Sequence, residues 1–289
     1  MRQIKSYDKN KTKGTLYLVP TPIGNLEDMT YRALNTLKMV DVIASEDTRH
    51  TQKLLNHFNI ATPQKSLHEH NYKERVPELI SLLTEGKNIA QVSDAGMPSI
   101  SDPGHELVVA CLEEEIAVTP LPGPTAGATA LIASGLPCQP YLFYGFLPRK
   151  KKDAIQVLTT LKESVATLIF YESPYRILQT LKHFGQVFSL QRKVVLCREL
   201  TKLHEEFTSG TLEELIAYYE EHEVKGECCL MIEGATGLEE IKTEYDALSL
   251  VEHVSLLIDE GMTSKEAIKT VAKARGLRKQ EVYQAYHEQ

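Results

Sequence analysis

Short apolar runs alternate with segments of helical spacing through most of the chain. Strand-length runs fall at 15–20, 41–45, 89–93, 117–121, 141–146, 167–171, 193–197 and 228–233. Helical spacing between them predicts helices at 29–39, 51–58, 74–83, 105–115, 126–133, 154–161, 175–184 and 212–221. The strand runs are nearly continuous rather than alternating, the pattern of a sheet with helices on both faces. Two helix starts are marked: Ser173-Pro174 offers a cap followed by proline, and Thr211 with Glu214 spells a capping box. The alternation predicts an α/β fold. From about Tyr245 the pattern changes to helices alone, at 248–260, 264–275 and 279–287. Gly261 and Gly276 break them, and Thr263 with Glu266 caps the second. The last pair reads as a helix-turn-helix, or as a small appendage that only packs.

Composition narrows the class. The chain has 289 residues, long enough for about two domains with cores of their own. Its apolar content is ordinary, and no run approaches the length of a membrane span. The polar, lysine-rich start, residues 1–13, has no apolar stretch and is expected to be no secretory signal. Cys111, Cys138, Cys197, Cys228 and Cys229 lie in apolar surroundings without C-x-x-C spacing, and read as reduced core thiols of a cytoplasmic protein. With 32 Lys+Arg against 39 Asp+Glu, the net charge of -7 excludes a whole-surface footprint for nucleic acid. Any such contact has to be local.

Glycine and proline locate the special loops. Eleven of the 29 fall within 94–137, where an even spread would put about four. One loop, 93–104, follows an apolar run; a second, 120–128, follows the next; a third, 19–25, follows the first run of the chain. In open α/β sheets ligands bind beyond the carboxyl ends of strands, where these loops gather. Small residues bare their backbone to a nucleotide-like ligand. Neither G-x-G-x-x-G after a strand nor G-x-x-x-x-G-K-[ST] occurs, which argues against dinucleotide oxidoreductases and P-loop enzymes. A cofactor without a pyrophosphate fits better.

Several segments carry a resemblance: Leu18-Val19-Pro20-Thr21-Pro22-Ile23-Gly24-Asn25-Leu26, Ala44-Ser45-Glu46-Asp47-Thr48-Arg49, Leu67-His68-Glu69-His70-Asn71, the 94–104 loop, 120–126, Tyr144-Gly145-Phe146-Leu147-Pro148, Phe170-Tyr171-Glu172-Ser173, Arg198-Glu199-Leu200-Thr201-Lys202 and Gly226-Glu227. In this order they resemble the ribosomal RNA small-subunit methyltransferase I family of the tetrapyrrole-methylase (class III methyltransferase) fold. The resemblance implies S-adenosylmethionine-dependent 2'-O-methylation of a cytidine in the decoding centre of 16S rRNA, a small-ribosomal-subunit partner and a homodimer. It divides the chain into a flexible extension at 1–13, α/β domains at 14–123 and 124–237, and the helical tail at 245–289. It sets the cofactor between the two α/β domains, against Pro22, Asp94, Ala95, Gly96, Met97, Ser101, Thr125, Ala126, Tyr144, Phe146 and Met231.

Methyl transfer from a sulfonium needs alignment above all, which can supply roughly 7–11 kcal/mol. A ribose hydroxyl is a poor nucleophile, so a positioned base is expected as well. The candidates are Glu46 and Asp47, with Arg49 beside them to pair a carboxylate or phosphate, and Glu172, Glu199 and Lys202 from strand ends of the second domain. His68 and His70 alternate in an extended segment and so can face one cleft; no third ligand suggests a metal. Lys202 suits either a base of lowered pKa or a phosphate clamp. A structural ion-pair network of Glu46, Arg49, Arg198 and Glu199 is the competing reading.

Two basic stretches are candidates for RNA. Arg149-Lys150-Lys151-Lys152 follows the Gly145–Pro148 turn, and the tail carries Lys265, Lys269, Lys273, Arg275, Arg278 and Lys279. From 262 to 289 these six positive charges face three negative ones, giving +3, so the remainder of the chain carries -10. Lys265, Lys269 and Lys273 share one helical face, while Ala267, Ile268, Val271 and Ala272 supply an apolar stripe for packing. Both stretches favour RNA over two alternatives on the same fold, a tetrapyrrole C-methyltransferase and a diphthine synthase. A non-catalytic RNA-binding factor predicts no small-molecule pocket.

Overall fold

Five parallel strands form the first sheet of the computed structural model, which describes residues 12–100, 104–235, 248–259, 261–275 and 277–287. They are β1 (Thr15–Leu18), β2 (Val42–Ser45), β3 (Gln64–Ser66), β4 (Ile89–Val92) and β5 (Ala117–Pro120), in the order β3-β2-β4-β1-β5. Helices α1 (Tyr31–Met39), α2 (Thr48–His57), α3 (Tyr72–Thr84) and α4 (His105–Glu113) connect them. Side chains alternate across the sheet. Ile43 and Ala90 pack on one face with Leu37 of α1 and Leu55 of α2. Val42, Ala44 and Ile89 pack on the other with Leu83 of α3 and Leu107 of α4. Both faces are covered, as the continuous apolar runs require.

The helices after the neighbouring strands β1 and β4 therefore go to opposite faces. Where two adjacent strands send their helices apart, the loops beyond their carboxyl ends diverge and leave a crevice. This is the first half of the site.

The chain crosses to a second sheet through Leu121–Thr125 and α5 (Ala126–Ser134). Its strands are β6 (Tyr141–Phe146), β7 (Thr167–Glu172), β8 (Lys193–Arg198), β9 (Glu206–Thr211) and β10 (Cys228–Ile232), in the order β6-β7-β10-β8-β9. Only β6 and β7 run parallel; the other pairs are antiparallel. One face carries α6 (Lys151–Leu161), α7 (Ile177–Phe184) and α8 (Leu212–Glu221) over Phe170, Leu196 and Leu230. The opposite face has α5 packed on Ile169, Val195 and Met231. Gly127 permits this contact, since a Cβ there would lie 3.2 Å from the Phe143 ring. Beyond α5 the same face presents Tyr171, Cys197 and Cys229 to a cavity.

Strands β3 and β9 are absent from the sequence expectation. Their residues, Gln-Lys-Ser and Glu-Phe-Thr-Ser-Gly-Thr, carry almost no apolar signal because both are edge strands. The capping box at Thr211 is present, with Glu214 bonding back to the Thr211 amide. Ser173 makes no side-chain cap; it precedes a single 3-10 turn at Pro174–Arg176, and α7 begins after it.

The described residues of Leu238–Gln289 form a unit separate from those of Met1–Gly237. Helices α9 (Leu250–Asp259), α10 (Ser264–Ala274) and α11 (Lys279–His287) pack around Val254, Ile268, Val271 and Val282. All four residues of the predicted apolar stripe are buried. The three helices lie where the sequence predicts them, and the last pair, α10 and α11, packs with α9 in one core. Gly261 ends α9 at φ +103°. Of the expected N-terminal extension only Thr12 and Lys13 are described, and the Lys13 ammonium donates to the Glu114 carbonyl at 2.5 Å. Gly276 lies outside the described residues, as do 245–247 of the tail. No described helix is long and apolar enough to cross a membrane.

Candidate active site

Loops after β1, β4 and β5 meet at one glycine. Gly96 has φ +78°, and a Cβ there would lie 3.3 Å from Ile23 Cγ2 and 3.5 Å from the Pro124 carbonyl oxygen. Its amide donates to the Thr21 carbonyl and its carbonyl accepts from the Thr21 amide, both at 3.0 Å. The Thr21 hydroxyl also donates to the Ser93 carbonyl, and the Ser93 hydroxyl to that of Gly96. Gly123 lies against Pro20, where any side chain would collide. The gathering expected from the glycine and proline positions is present, and its cause is visible: Gly96 and Gly123 stand where a Cβ would press on Ile23 and Pro20 of the first loop.

These loops wall a cavity of about 580 Å³ whose floor is the open face of the second sheet. Asp94, Ala95, Gly96 and Met97 line it, as do Thr125, Ala126 and Phe146. Glu46 and Glu172 reach it from the ends of β2 and β7. Asp94 Oδ1 accepts the Asp47 amide at 3.2 Å. The Tyr171 hydroxyl accepts from the Gly127 amide at 3.1 Å and is hydrogen-bonded to Thr125; burial raises its pKa, so it stays neutral.

The remaining expected residues fall elsewhere. Pro22, Tyr144 and Met231 do not line the cavity; Met231 is fully buried beneath α5, and the Tyr144 ring packs towards Phe170 on the far face. Ser101 lies outside the described residues. Asp47 caps α2 through the amides of Arg49 and His50 and pairs with the exposed Arg49 side chain at 3.0 Å. Arg49 beside it holds this carboxyl down at about 2, which leaves it a poor proton acceptor. His68 and His70 sit in a turn rather than an extended segment. The His70 amide donates to His68 Nδ1, and neither lines the cavity. Glu172 is 3% exposed, and both its oxygens are engaged, by the Ser173 amide and the Thr180 hydroxyl at 2.8 Å each, with Arg176 at 3.4 Å.

Glu199 and Lys202 form a latch behind the cavity. The Lys202 ammonium donates to Glu199 Oε1 and Glu227 Oε2, both at 3.0 Å. The Glu227 amide donates to Glu199 Oε1 at 2.9 Å. That amide, with Lys202, lowers the Glu199 pKa. Partial burial pulls Lys202 down, but the Glu227 and Glu199 carboxylates outweigh it, and its pKa rises. The expectation of a lysine with lowered pKa is therefore corrected: Lys202 is a charged strut. Glu199 and Thr201 hold φ +50° and +66°, and Thr201 Oγ1 accepts the Asn25 amide at 3.1 Å, tying this loop to that after β1.

Sequence reasoning passed over Ile23, Ile100, Tyr171, Leu200 and Glu227, which line the cavity. Gly226 was the available signal for Glu227: at φ +89°, its missing Cβ leaves room for the Glu199 carboxylate. Cys197, Cys228 and Cys229 also line it; burial pushes these thiols up to about 12, 11 and 12, so they are neutral walls. All five cysteines are unpaired, and Cys138 is exposed, not core. Among the described residues no cluster of histidine, cysteine or acidic side chains could hold a metal ion.

Arg149, Lys150, Lys151 and Lys152 are exposed just beyond Phe146, with Lys150 to Lys152 at the cap and first turn of α6. In the tail, Lys265, Lys269 and Arg278 are exposed. Arg275 turns inward to His253 Nδ1 and the Leu248 carbonyl. The Lys273 side chain is not among those described.

Residues 15–216 match the model of the tetrapyrrole (corrin/porphyrin) methylases. Solved structures of similar fold include uroporphyrin-III-C-methyltransferase from Thermus thermophilus (TM-score 0.56, 22% identity, covering 78% of this chain and 97% of that one). Another structure of that name, complexed with S-adenyl homocysteine, gives TM-score 0.52 at 19% identity, over 76% and 97% of the two chains. At these identities the likeness is one of fold. Among curated proteins, ribosomal RNA small subunit methyltransferase I of Streptococcus pyogenes serotype M1 is 53% identical over the full length of both chains. That of Bacillus subtilis is 49% identical over 99% of each. The fold, the crevice and these full-length identities agree: the chain belongs to the ribosomal RNA small subunit methyltransferase I family.

Proposed function

We propose that this chain transfers the methyl group of S-adenosylmethionine to the ribose 2'-hydroxyl of a cytidine in the decoding centre of 16S rRNA. The observation that carries this reading is the 53% full-length identity to a small-subunit rRNA methyltransferase. The solved tetrapyrrole methyltransferases compared above share its fold at 22% identity or less.

The cavity suits the cofactor in size and donor set. About 580 Å³ is within the usual range for a ligand pocket. Asp94 offers a carboxylate to a ribose hydroxyl or an ammonium, and among the described residues only the Asp47 amide bonds to it. Ile23, Met97 and Ile100 supply apolar wall, and Thr125 and Ala126 close the far side at the start of α5. When bound, S-adenosylmethionine supplies an electrophilic methyl group. The protein's part is to align the acceptor oxygen, exclude water and take the proton. Of the expected bases, only Glu46 and Glu172 line the cavity, and Glu172 is almost fully buried. We assign proton acceptance to Glu46, at the end of β2 on the cavity wall.

The small ribosomal subunit as partner, the homodimer and the cytoplasmic location belong to the same reading. Methyl transfer into small subunits lacking the modification, followed by nucleoside mass spectrometry, tests it. A single 2'-O-methylcytidine is expected; no transfer, or transfer to another nucleoside, overturns it. A monomer mass throughout micromolar sedimentation overturns the dimer.

A further inference from the structure

The edge strand β6 contains one residue more than its pairing with β7 accommodates. Phe143 pairs with Ile169, but Gly145 pairs with Phe170 and Phe146 with Tyr171, leaving Tyr144 as the extra residue. Gly145 takes φ +83° at this irregularity. A regular strand would place Phe143 and residue 145 on one face, with Tyr144 and Phe146 on the other. The extra residue reverses the parity after Tyr144. Phe146 joins Phe143 on the cavity side, and their ring centroids lie 5.8 and 4.8 Å from that of Tyr171. Bulges re-aim side chains near active sites in this way.

The re-aimed ring is not packed away. Phe146 lines the cavity yet is 59% exposed, so it stands at the lip. Leu147, next in the chain, turns inward, and four exposed cations follow it. Lys150, Lys151 and Lys152 occupy the cap and first turn of α6, where the helix dipole disfavours positive charge. Helix stability does not account for their placement; an anionic polymer passing the lip does.

We propose that Phe146 is the stacking platform for the acceptor nucleoside, and that Arg149 to Lys152 hold the flanking phosphates of a single-stranded RNA segment. The proposal rests on the methyltransferase reading above and removes Phe146 from the cofactor's contacts. A duplex displays its 2'-hydroxyls on the minor-groove surface but cannot carry one into a recessed cavity, so the acceptor nucleotide has to leave its stack. An aromatic face at the entrance replaces the lost base stacking, and cations beside it track the backbone. One small cofactor gives no reason for four adjacent cations.

The test compares Phe146→Ala, Phe146→Leu and Phe146→Trp with wild type in methyl transfer to unmodified small subunits, alongside calorimetric titration of S-adenosylmethionine. Ala and Leu are both expected to raise KM for the subunit about ten- to hundredfold, with Trp near wild type and cofactor affinity unchanged in all three. Leu keeps the site apolar without an aromatic face, so it separates stacking from simple burial. Lys150→Glu with Lys152→Glu should lower subunit affinity and flatten its salt slope by about 0.7 per lost phosphate contact. Equal loss of cofactor and subunit affinity in Phe146→Ala would return the ring to the cofactor and overturn the platform. Unchanged kinetics in Phe146→Ala would overturn it too, as would wild-type behaviour of Phe146→Leu. Failure of the wild-type protein to transfer any methyl group overturns the functional reading, and the platform with it.

Discussion

Thr21 and Gly96 exchange both of their backbone hydrogen bonds, at 3.0 Å each, as a two-residue antiparallel bridge between loops that follow parallel strands. The bridge spans the crevice at the point where β1 and β4 send their helices to opposite faces, and it fixes the wall on which Asp94 and Met97 stand. Gly96→Ala tests its importance. At φ +78° an L side chain costs about 1–2 kcal/mol, and the added carbon would press on Ile23. We expect the unfolding free energy from urea titration to fall by that amount, together with weaker S-adenosylmethionine binding. A variant as stable as wild type would show that the loop relaxes freely.

Asp94→Ala removes the carboxylate we assign to the cofactor. A hydrogen bond to a charged group is worth about 1.5–3 kcal/mol, so affinity should fall about ten- to hundredfold. Asp94→Asn keeps an acceptor for the Asp47 amide and controls for the start of α2. Calorimetry on both variants decides: unchanged affinity in Asp94→Ala refutes the assignment.

Glu46→Gln addresses proton transfer. A positioned base contributes about 10²–10⁴-fold, and turnover at saturating cofactor and subunit should drop by that range while cofactor affinity holds. If turnover stays near normal, alignment alone drives the reaction.

The latch makes stability depend on pH. The folded-state pKa of Glu199 is depressed, first by the Glu227 amide and then by Lys202. Its contribution is therefore complete above the ordinary value of 4.5 and is lost as pH falls through the lower folded value. Glu199→Gln should destabilise the protein at about pH 7 and progressively less below 4.5, towards about pH 3. Urea midpoints at the two pH values give the comparison; an equal difference at both would mean that the ionised form is not what the latch stabilises.

The tail should hold RNA by its phosphates. Lys265 and Lys269 project from α10 and Arg278 precedes α11, while Glu281 reaches back to the Arg278 amide and caps that helix start. Replacing Lys269, Lys273 and Arg278 by glutamate is expected to weaken subunit binding and flatten its salt dependence, with cofactor affinity intact. Filter binding at several salt concentrations measures both; an unchanged slope would reduce the tail to a packing element.

Local sequence determined the α/β class, the helix caps at Thr211 and Thr263, the apolar stripe of α10 and the three glycine-proline loops. Each of these follows from burial or backbone constraints among near neighbours, which periodicity and residue type record directly. Edge strands β3 and β9 left no such record, because their backbones are held by a partner strand and their side chains need no burial. The proton-transfer candidates were legible as types only. Asp47, Glu199 and Lys202 looked alike until the fold set their partners: Asp47 caps α2 beside Arg49, and Lys202 sits between carboxylates 3 and 25 residues away in the chain. The cavity itself depends on which face each helix takes and on one extra residue in β6. Those are relations between segments far apart in sequence, and only the folded chain brings them together.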